Sequence, residues 1–332
     1  MPRASSSVTP RPEAPAVERR PVAPAWFDAA LAQAPERTHI EVEGAEIEVL
    51  TWGERGRPGL LLLHGFTAHA DWWSFLAPLL AQGRRVVAFS LSGMGRSSWR
   101  DVYSIEQHAR EAIAVAEATG LFESTVPPIL IGHSFGSFAA RIVAHTLGAQ
   151  LGGIVLVDGA LAADNEDVEF DGVPVRGHRH RVYPTLEQAI ARFRFEPAQT
   201  CDNPYIMDFL ARTSLGLTPA AHGGDGWSWR FDPDLRAKIG AFPTSDVLAP
   251  LTCRAALLFG DRSKLMTSAR LDLIRRSTPP TAPWIVIPDA GHHIMVDQPL
   301  ALIAALRSLL ESWQPAATFE HPFTPSISSV PE

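Results

Sequence analysis

Residues 129–136 read Ile-Leu-Ile-Gly-His-Ser-Phe-Gly, a short apolar run that ends in the pattern Gly132-x-Ser134-x-Gly136. The apolar run predicts a buried strand, and the periodic pattern from Phe135 to Leu147 predicts a helix. A strand that turns directly into a helix through Gly-x-Ser-x-Gly holds the serine on a strained turn with its hydroxyl pointing outward. This segment therefore predicts that Ser134 is a nucleophile. The alternative interpretation is a glycine-rich turn with an incidental serine.

Similar apolar runs on both sides of this segment predict further strands of the same sheet. They are Gly59–Leu63, Arg85–Phe89, Ile154–Val157, Ala255–Phe259 and Trp284–Ile287, with a hairpin over Ile40–Val42 and Glu46–Trp52. Helical patterns separate the runs, from Ser104 to Thr119, from Thr267 to Arg275, and from Pro299 onward. Strands that alternate with helices predict an α/β fold with a mostly parallel, doubly wound sheet covered on both faces.

The chain departs from this alternation in one long internal segment and at its two ends. No buried-strand run occurs from Gly159 to about Asp246, and Thr185-Leu-Glu-Gln188 is a capping box that predicts a helix start. Because such an insertion is too long for a loop, we interpret residues 159–246 as a mainly helical cap. The predicted core is then residues 26–158 and 247–314, with a disordered Pro-rich leader at 1–25 and a loose tail at 315–332.

The composition excludes several classes of protein. The chain has 332 residues, 46% of them hydrophobic and 20% charged, which is typical of a folded protein. No apolar run reaches about 18 residues, so no membrane-spanning helix is expected. The formal net charge of −7, without a basic block, argues against a nucleic-acid partner. The N-terminal residues lack the apolar stretch of a secretory signal, so a cytoplasmic protein is expected.

A serine nucleophile needs a base, and the position of one histidine in the chain suits that role. The last predicted strand runs into Pro288-Asp-Ala-Gly-His-His293, so His292 follows the final strand and precedes the final helix. We favour His292 over His293 because a residue directly after Gly291 can reach inward while the next residue begins to turn away. The alternative is that His292 is a solvent-exposed loop histidine.

The developing oxyanion needs hydrogen-bond donors, and backbone amides are the usual solution. The amide of Phe135 is predicted to be one donor, because Phe135 follows the nucleophile directly. The amide of Phe66 is predicted to be the other, because His64-Gly65-Phe66-Thr67 comes directly after an earlier strand. The alternative is that His64-Gly65 only turns the chain at the end of that strand.

These segments together resemble the α/β-hydrolase-fold superfamily, and in particular its serine hydrolases with an inserted cap. The resemblance is carried by His64-Gly65-Phe66, Ser92-Gly-Met-Gly-Arg-Ser97, Gly132-x-Ser134-x-Gly136, and Gly291-His292 followed by Asp297-Gln298-Pro299. It covers residues from about 38 to 314. It implies a Ser-His-acid triad that works through an acyl-enzyme intermediate, without naming a substrate.

The position of the catalytic acid departs from the pattern of this superfamily. Members usually carry the acid after the second-last strand as Gly-x-x-Asp, and here that stretch reads Gly260-Asp-Arg-Ser263. Ser263 cannot stabilise an imidazolium, so the acid must come from elsewhere. We favour Asp158, because it ends a core strand at the sheet edge where such sites lie. Asp261 is the alternative acid.

The expected function is hydrolysis of a small or medium apolar carboxylic ester. Alternatives on the same triad are a C–C bond, amide or lactone hydrolase or a perhydrolase, and a further alternative is a ligand-binding receptor with little turnover. The candidate pocket residues, for which core packing is the competing interpretation, are His64, Trp72, Trp73, Trp227 and Trp229. The expected partner is a small-molecule substrate; neither a cofactor nor a metal is expected, because no nucleotide-binding loop or His-Glu-x-x-His pattern is present.

Overall fold

The computed structural model describes residues 20–159, 181–219, 224–240 and 250–313. Within these ranges eight strands form one sheet in the order β1-β2-β4-β3-β5-β6-β9-β10, and two more strands form a separate ribbon. The strands are β1 (Glu36–Val42), β2 (Ala45–Trp52), β3 (Gly59–Leu63), β4 (Arg85–Phe89), β5 (Ile129–His133), β6 (Gly153–Val157), β7 (Leu215–Pro219), β8 (Asp225–Trp229), β9 (Ala255–Gly260) and β10 (Trp284–Ile287).

The large sheet is mostly parallel, as the sequence predicts. Strand β2 pairs antiparallel with β1 and β4, and every other pairing in this sheet is parallel. The central strand β3 shows why its residues are apolar at every position. Leu60 and Leu62 enter one hydrophobic core and Leu61 and Leu63 enter another, because successive side chains point to opposite faces. Both faces of the sheet are therefore buried, as expected for parallel strands covered by helices.

Ten α-helices accompany the strands in the described ranges, together with two short 3₁₀ helices, Ala70–Trp73 and Gly148–Gln150. The α-helices are α1 (Ala25–Leu31), α2 (Ala77–Leu80), α3 (Ile105–Ala118), α4 (Gly136–Leu147), α5 (Leu186–Ile190), α6 (Pro204–Thr213), α7 (Leu235–Lys238), α8 (Ser268–Ser277), α9 (Ile294–Asp297) and α10 (Pro299–Ser312). The predicted capping box is present, since the Thr185 hydroxyl accepts a hydrogen bond from the amide of Gln188. None of the helices in these ranges is long and apolar enough to cross a membrane.

The segment between β6 and β9 contains more than the predicted helices. Besides α5, α6 and α7 it holds the antiparallel ribbon β7–β8, which the sequence analysis did not predict. The ribbon strands are short and partly exposed and contain Gly and Pro, so they lack the continuous apolar run used to find strands. The segment contacts the sheet at the Ser92–Ser97 loop, where the Asp232 amide donates to the Gly93 carbonyl at 2.8 Å.

The predicted domain boundaries stay a prediction. Residues 1–19 of the expected leader and the whole expected tail lie outside the described residues, as do residues 160–180, 220–223 and 241–246 of the expected cap and residues 247–249 and 314 of the expected core. Helix α1 begins at Ala25, one residue before the predicted start of the core. Its Phe27 packs against Phe75 in the core, with ring centroids 5.5 Å apart.

Candidate active site

Ser134 lies in a tight turn between β5 and α4. Its φ of +49° falls in the left-handed region, which is costly for a residue with a side chain. The flanking glycines are required by close packing, since a Cβ on Gly132 would lie 2.8 Å from the Gly136 carbonyl oxygen. A Cβ on Gly136 would lie 2.6 Å from the His64 carbonyl oxygen. The Gly-x-Ser-x-Gly pattern thus permits a strand-to-helix turn that no larger residues could make.

The side chains of Ser134, His292 and Asp158 form one hydrogen-bonded chain. The Oγ of Ser134 lies 2.8 Å from Nε2 of His292, and Nδ1 of His292 lies 2.7 Å from Oδ1 of Asp158. All three residues are buried, with exposed fractions of 8%, 3% and 0%. A carboxylate beside Nδ1 favours the tautomer with its proton there, which leaves Nε2 free to accept the serine proton.

Asp158 is held from several sides after the end of β6. Its φ is +45°, and its Oδ2 accepts a hydrogen bond from the Gly260 amide at 3.1 Å. The hydroxyl of Ser263 donates to Oδ1 at 2.6 Å. Ser263 thus contacts the carboxylate of Asp158 although it cannot itself serve as an acid. In the sequence, Ser263 is only the residue that stands in place of the usual acid, and nothing near it along the chain indicates its contact with Asp158.

Asp261, the alternative acid, lies elsewhere. Its side chain is exposed, and its Oδ1 accepts a hydrogen bond from the Ala290 amide at 3.2 Å. Neither ring nitrogen of His292 contacts it, because both are engaged by Ser134 and Asp158. Asp158 is therefore the carboxylate that contacts His292, whereas Asp261 is hydrogen-bonded to the loop before Gly291.

Three buried histidines meet beside Ser134. Ring nitrogens of His133, His292 and His293 lie within 4.8 Å of one another, so this cluster could hold a metal ion. Both ring nitrogens of His292 already have partners, Ser134 and Asp158, so such an ion would have to displace one of these two contacts. His293 does not contact Ser134; its ring lies against Trp72 and Phe195, with both pairs of ring centroids 5.3 Å apart.

The loop after β3 packs directly on the serine turn. A Cβ on Gly65 would lie 3.3 Å from the Ser134 Cβ, and the rings of Phe66 and Phe135 lie 5.4 Å apart between centroids. His64 holds this loop in place with two hydrogen bonds. Its Nδ1 donates to the Gly65 carbonyl at 2.7 Å, and its Nε2 accepts from the Leu91 amide at 3.0 Å. Both residues predicted to supply oxyanion donors therefore flank Ser134.

A cavity of about 470 Å³ opens over Ser134 and His292. Of the predicted pocket residues, Trp72 and Trp229 line this cavity. The other three predicted pocket residues lie outside the cavity wall. His64 hydrogen-bonds within the loop after β3, Trp73 is fully buried in the core, and Trp227 of β8 pairs with Tyr183. The wall also contains four arginines that the sequence analysis missed, Arg181, Arg192, Arg194 and Arg230. Their alternation with aromatic residues in Arg192-Phe-Arg-Phe195 and Trp229-Arg-Phe231 was the available signal.

Burial lowers the pKa of five histidines, which makes the stability of the fold sensitive to acid. The five are His64, with a pKa of about 3, and His69, His108, His133 and His293, all below the ordinary 6.5. The unfolded chain binds protons at these side chains below about pH 6.5, whereas the folded chain does not until its lower pKa values are reached. Stability is therefore complete above that pH and falls as the pH drops, by up to about 1.4 kcal/mol per pH unit per histidine.

We expect the melting temperature to fall steeply from about pH 7 to about pH 5. Thermal denaturation followed by circular dichroism across this range measures the effect. His108 lies outside the cavity wall, and the variant His108→Gln should show a shallower pH slope than the wild type. A melting temperature that stays constant over this range would contradict the prediction.

Comparisons with known proteins agree with this architecture. Residues 60–306 match the model of the "Alpha/beta hydrolase family". The chain is 26% identical over 281 residues to Esterase Rv0045c of Mycobacterium tuberculosis (strain ATCC 25618 / H37Rv), covering 82% of this chain and 88% of that protein. It is 31% identical over 123 residues to Lipase LipV of the same organism, covering 37% of this chain and 45% of LipV, so that match spans less than half of LipV.

A solved structure of the "Thioesterase Domain From Curacin Biosynthetic Pathway" is also similar. It superposes with a TM-score of 0.66 at 25% sequence identity, covering 84% of this chain and 99% of that domain. The mostly parallel sheet, the serine turn and the match over most of the chain lead to one conclusion. The chain is a member of the alpha/beta hydrolase family.

Proposed function

We propose that the protein is a serine esterase that hydrolyses a carboxylic ester with a small or medium apolar acyl group. In this proposal Ser134 is the nucleophile, His292 the general base and Asp158 the acid that orients it. The observation that carries the proposal is the continuous hydrogen-bonded chain of these three side chains at the floor of a cavity. Two of the similar proteins are named as an esterase and a lipase, which supports ester hydrolysis as the reaction.

The proposed reaction proceeds in two steps. His292 removes the proton of Ser134 as Oγ attacks the ester carbonyl, and Asp158 stabilises the resulting imidazolium. The amides of Phe66 and Phe135 hold the tetrahedral oxyanion, each worth about 3 kcal/mol in the transition state. His292 then gives its proton to the leaving alcohol, and the acyl group stays on Ser134. Water activated by His292 releases the acid in the second step.

The aromatic wall of the cavity supports the apolar acyl group. It is built from Phe66, Trp72, Phe193, Phe195, Trp229 and Phe231. Aromatic side chains bury large areas of a ligand at little cost in conformational freedom. The volume of about 470 Å³ is within the range of sites for small ligands. The cytoplasmic location predicted from the sequence stays a prediction.

Trapping the covalent intermediate tests the proposal. We expect the purified protein to hydrolyse p-nitrophenyl butyrate and to be inactivated by a fluorophosphonate. Mass spectrometry of the digested, inactivated protein should then place one adduct on Ser134. Hydrolysis without inactivation, or an adduct on another residue, would overturn the proposed nucleophile. Absence of both hydrolysis and labelling would favour a ligand-binding role.

Ser263 is proposed to position Asp158, and its removal should lower turnover more than substrate binding. Hydrogen bonds to charged groups contribute about 1.5–3 kcal/mol, so Ser263→Ala should reduce kcat by about 10-fold or more and change KM little. Ser263→Thr keeps the hydroxyl and should recover most of the activity. Initial-rate kinetics on the three proteins measure this effect. Equal losses in both variants would show that Ser263 acts only through packing.

A further inference from the structure

The cavity wall carries a charge opposite to that of the chain. Four arginines, Arg181, Arg192, Arg194 and Arg230, line it, and Glu196 is the only acidic residue among the lining residues that the structure describes. The whole chain has a formal net charge of −7. Burial lowers the pKa values of the lining histidines His69, His133 and His293, so these add no positive charge near neutral pH. The arginines therefore dominate the charge of the cavity.

Arg230 is the most enclosed of these arginines and is held in a fixed position. Its amide donates to the Ser214 carbonyl at 2.8 Å, and its side-chain Nε donates to the Leu215 carbonyl at 2.8 Å. The guanidinium lies flat against Gly216, where a Cβ would come within 2.8 Å of its Cζ. Ser214 in turn contacts Nε2 of His69 in the loop after β3, at 2.9 Å. Arg230 is thus coupled to the loop that flanks Ser134.

Among the residues that the structure describes, the remaining nitrogens of Arg230 have no carboxylate partner. Within the described ranges, no acidic side chain comes within 4.0 Å of the Arg230 guanidinium, and no acceptor bonds its Nη1 or Nη2. The nearby carboxylates form ion pairs with other arginines: Asp71 pairs with Arg37, and Glu48 pairs with Arg37 and Arg96. Burial and the neighbouring Arg96 lower the pKa of Arg230 from its usual value, so an anion beside it would be stabilised.

A guanidinium with two free nitrogens presents a fork that matches carboxylate and phosphate oxygens. We propose that the ester substrate carries an anionic group, a carboxylate or a phosphate, which binds Arg230 while its apolar part lies against the aromatic wall. Arg181 and Arg192 line the same wall and raise the positive potential. This inference rests on the proposed esterase function. It replaces the apolar ester expected from the sequence by an amphiphilic ester that carries one anionic group.

Matched pairs of substrates test the anionic group on each side of the ester. Mono-p-nitrophenyl adipate replaces the terminal methyl of p-nitrophenyl hexanoate by a carboxylate, so this pair tests the acyl side. Hexanoyl-4′-phosphopantetheine and hexanoyl-pantetheine are thioesters of the arm of coenzyme A; they share an acyl group and differ only in the phosphate on the leaving group. We expect kcat/KM to be about tenfold higher or more for the anionic member of at least one pair.

Variants of Arg230 identify the residue responsible. Arg230→Gln should remove that preference, so that the ratio of kcat/KM for the anionic substrate to kcat/KM for its neutral partner falls about tenfold. Arg230→Lys keeps the charge without the fork and should retain part of the preference. The control is Arg307→Gln, since Arg307 is an exposed arginine on α10 outside the cavity, and it should retain the full preference. Neutral substrates favoured in both pairs, or equal losses for both members in Arg230→Gln, would overturn the inference.

Binding to protein that cannot turn over separates this inference from the proposed function. Ser134→Ala should bind adipate or coenzyme A in calorimetry, and adding Arg230→Gln should weaken that binding about tenfold. If the wild type hydrolyses no ester but these anions still bind through Arg230, the esterase proposal fails and the anion site stands. If neutral esters are hydrolysed and neither anion binds, the esterase proposal stands and the anion site fails.

Discussion

Replacing Ser134 by alanine should lower kcat/KM for p-nitrophenyl butyrate on the order of 10⁴-fold and leave the protein folded. Both chemical steps of the proposed reaction pass through Oγ, so the loss falls on kcat more than on KM. The residual rate would come from the oxyanion donors and the cavity, which act without the nucleophile. Alanine removes one hydrogen bond, from Oγ to His292, so the free energy of unfolding should fall by only about 1 kcal/mol.

The matched control for this variant is Ser137→Ala. Ser137 lies three residues further along the chain, in the first turn of α4, is also buried, and donates from its hydroxyl to the Gly132 carbonyl at 2.8 Å. Its loss should cost a similar amount of stability and reduce kcat/KM far less than the loss of Ser134. Steady-state kinetics with thermal denaturation on the two variants separates chemistry from folding. Equal turnover by Ser134→Ala and wild type would show that another group performs the attack.

The sheet and the serine turn could be predicted because local sequence decides them. Strands β3, β4, β5 and β6 are buried at every residue, and each contains a continuous apolar run that can be recognised in the sequence. The turn at Ser134 requires glycines on both sides for packing reasons that any sequence with this turn must meet. Position relative to these elements led to the choice of His292 among twelve histidines, and the structure places its Nε2 2.8 Å from the Oγ of Ser134.

The ribbon β7–β8 and the cavity wall could not be predicted in the same way. Leu217 in β7 is 63% exposed, so tertiary pairing rather than an apolar pattern holds this strand. Trp73 and Trp229 look alike in sequence, yet one is in the core and the other lines the cavity. Which side of a chain faces a cavity depends on contacts between distant segments, such as that of Ser214 with His69. The role proposed for Arg230 therefore depends on contacts that the structure shows and the sequence does not.

The choice between Asp158 and Asp261 could be made from position in the sequence, but the contacts of the chosen residue could not be predicted in this way. Strand-end placement favoured Asp158 over Asp261, and the structure places the Asp158 carboxylate 2.7 Å from His292. The contact of Ser263 with that carboxylate joins two loops separated by about a hundred residues, so no local pattern reports it. The assignment of Asp158 as the catalytic acid is thus a proposal that a direct substitution can decide.

Replacing Asp158 by asparagine should reduce kcat by about 10³- to 10⁴-fold. Asparagine has nearly the same shape and tolerates the positive φ of +45° at this position, so the fold should survive. Its amide cannot stabilise the imidazolium, and it favours the tautomer of His292 that presents a proton rather than a lone pair to Ser134. The loss should therefore appear in kcat, with KM nearly unchanged.

Asp261→Asn is the decisive companion, because it makes the same chemical change two residues from Ser263, whose hydroxyl contacts Asp158. Asp261 is exposed and accepts one hydrogen bond from the Ala290 amide, which an asparagine oxygen can also accept. Kinetics on both variants should therefore show full activity in Asp261→Asn and almost none in Asp158→Asn. The reverse pattern would mean that the loop before Gly291 rearranges during turnover to bring Asp261 to His292. Ser263 would then have no carboxylate to position in the active state, and Ser263→Ala should leave kcat unchanged.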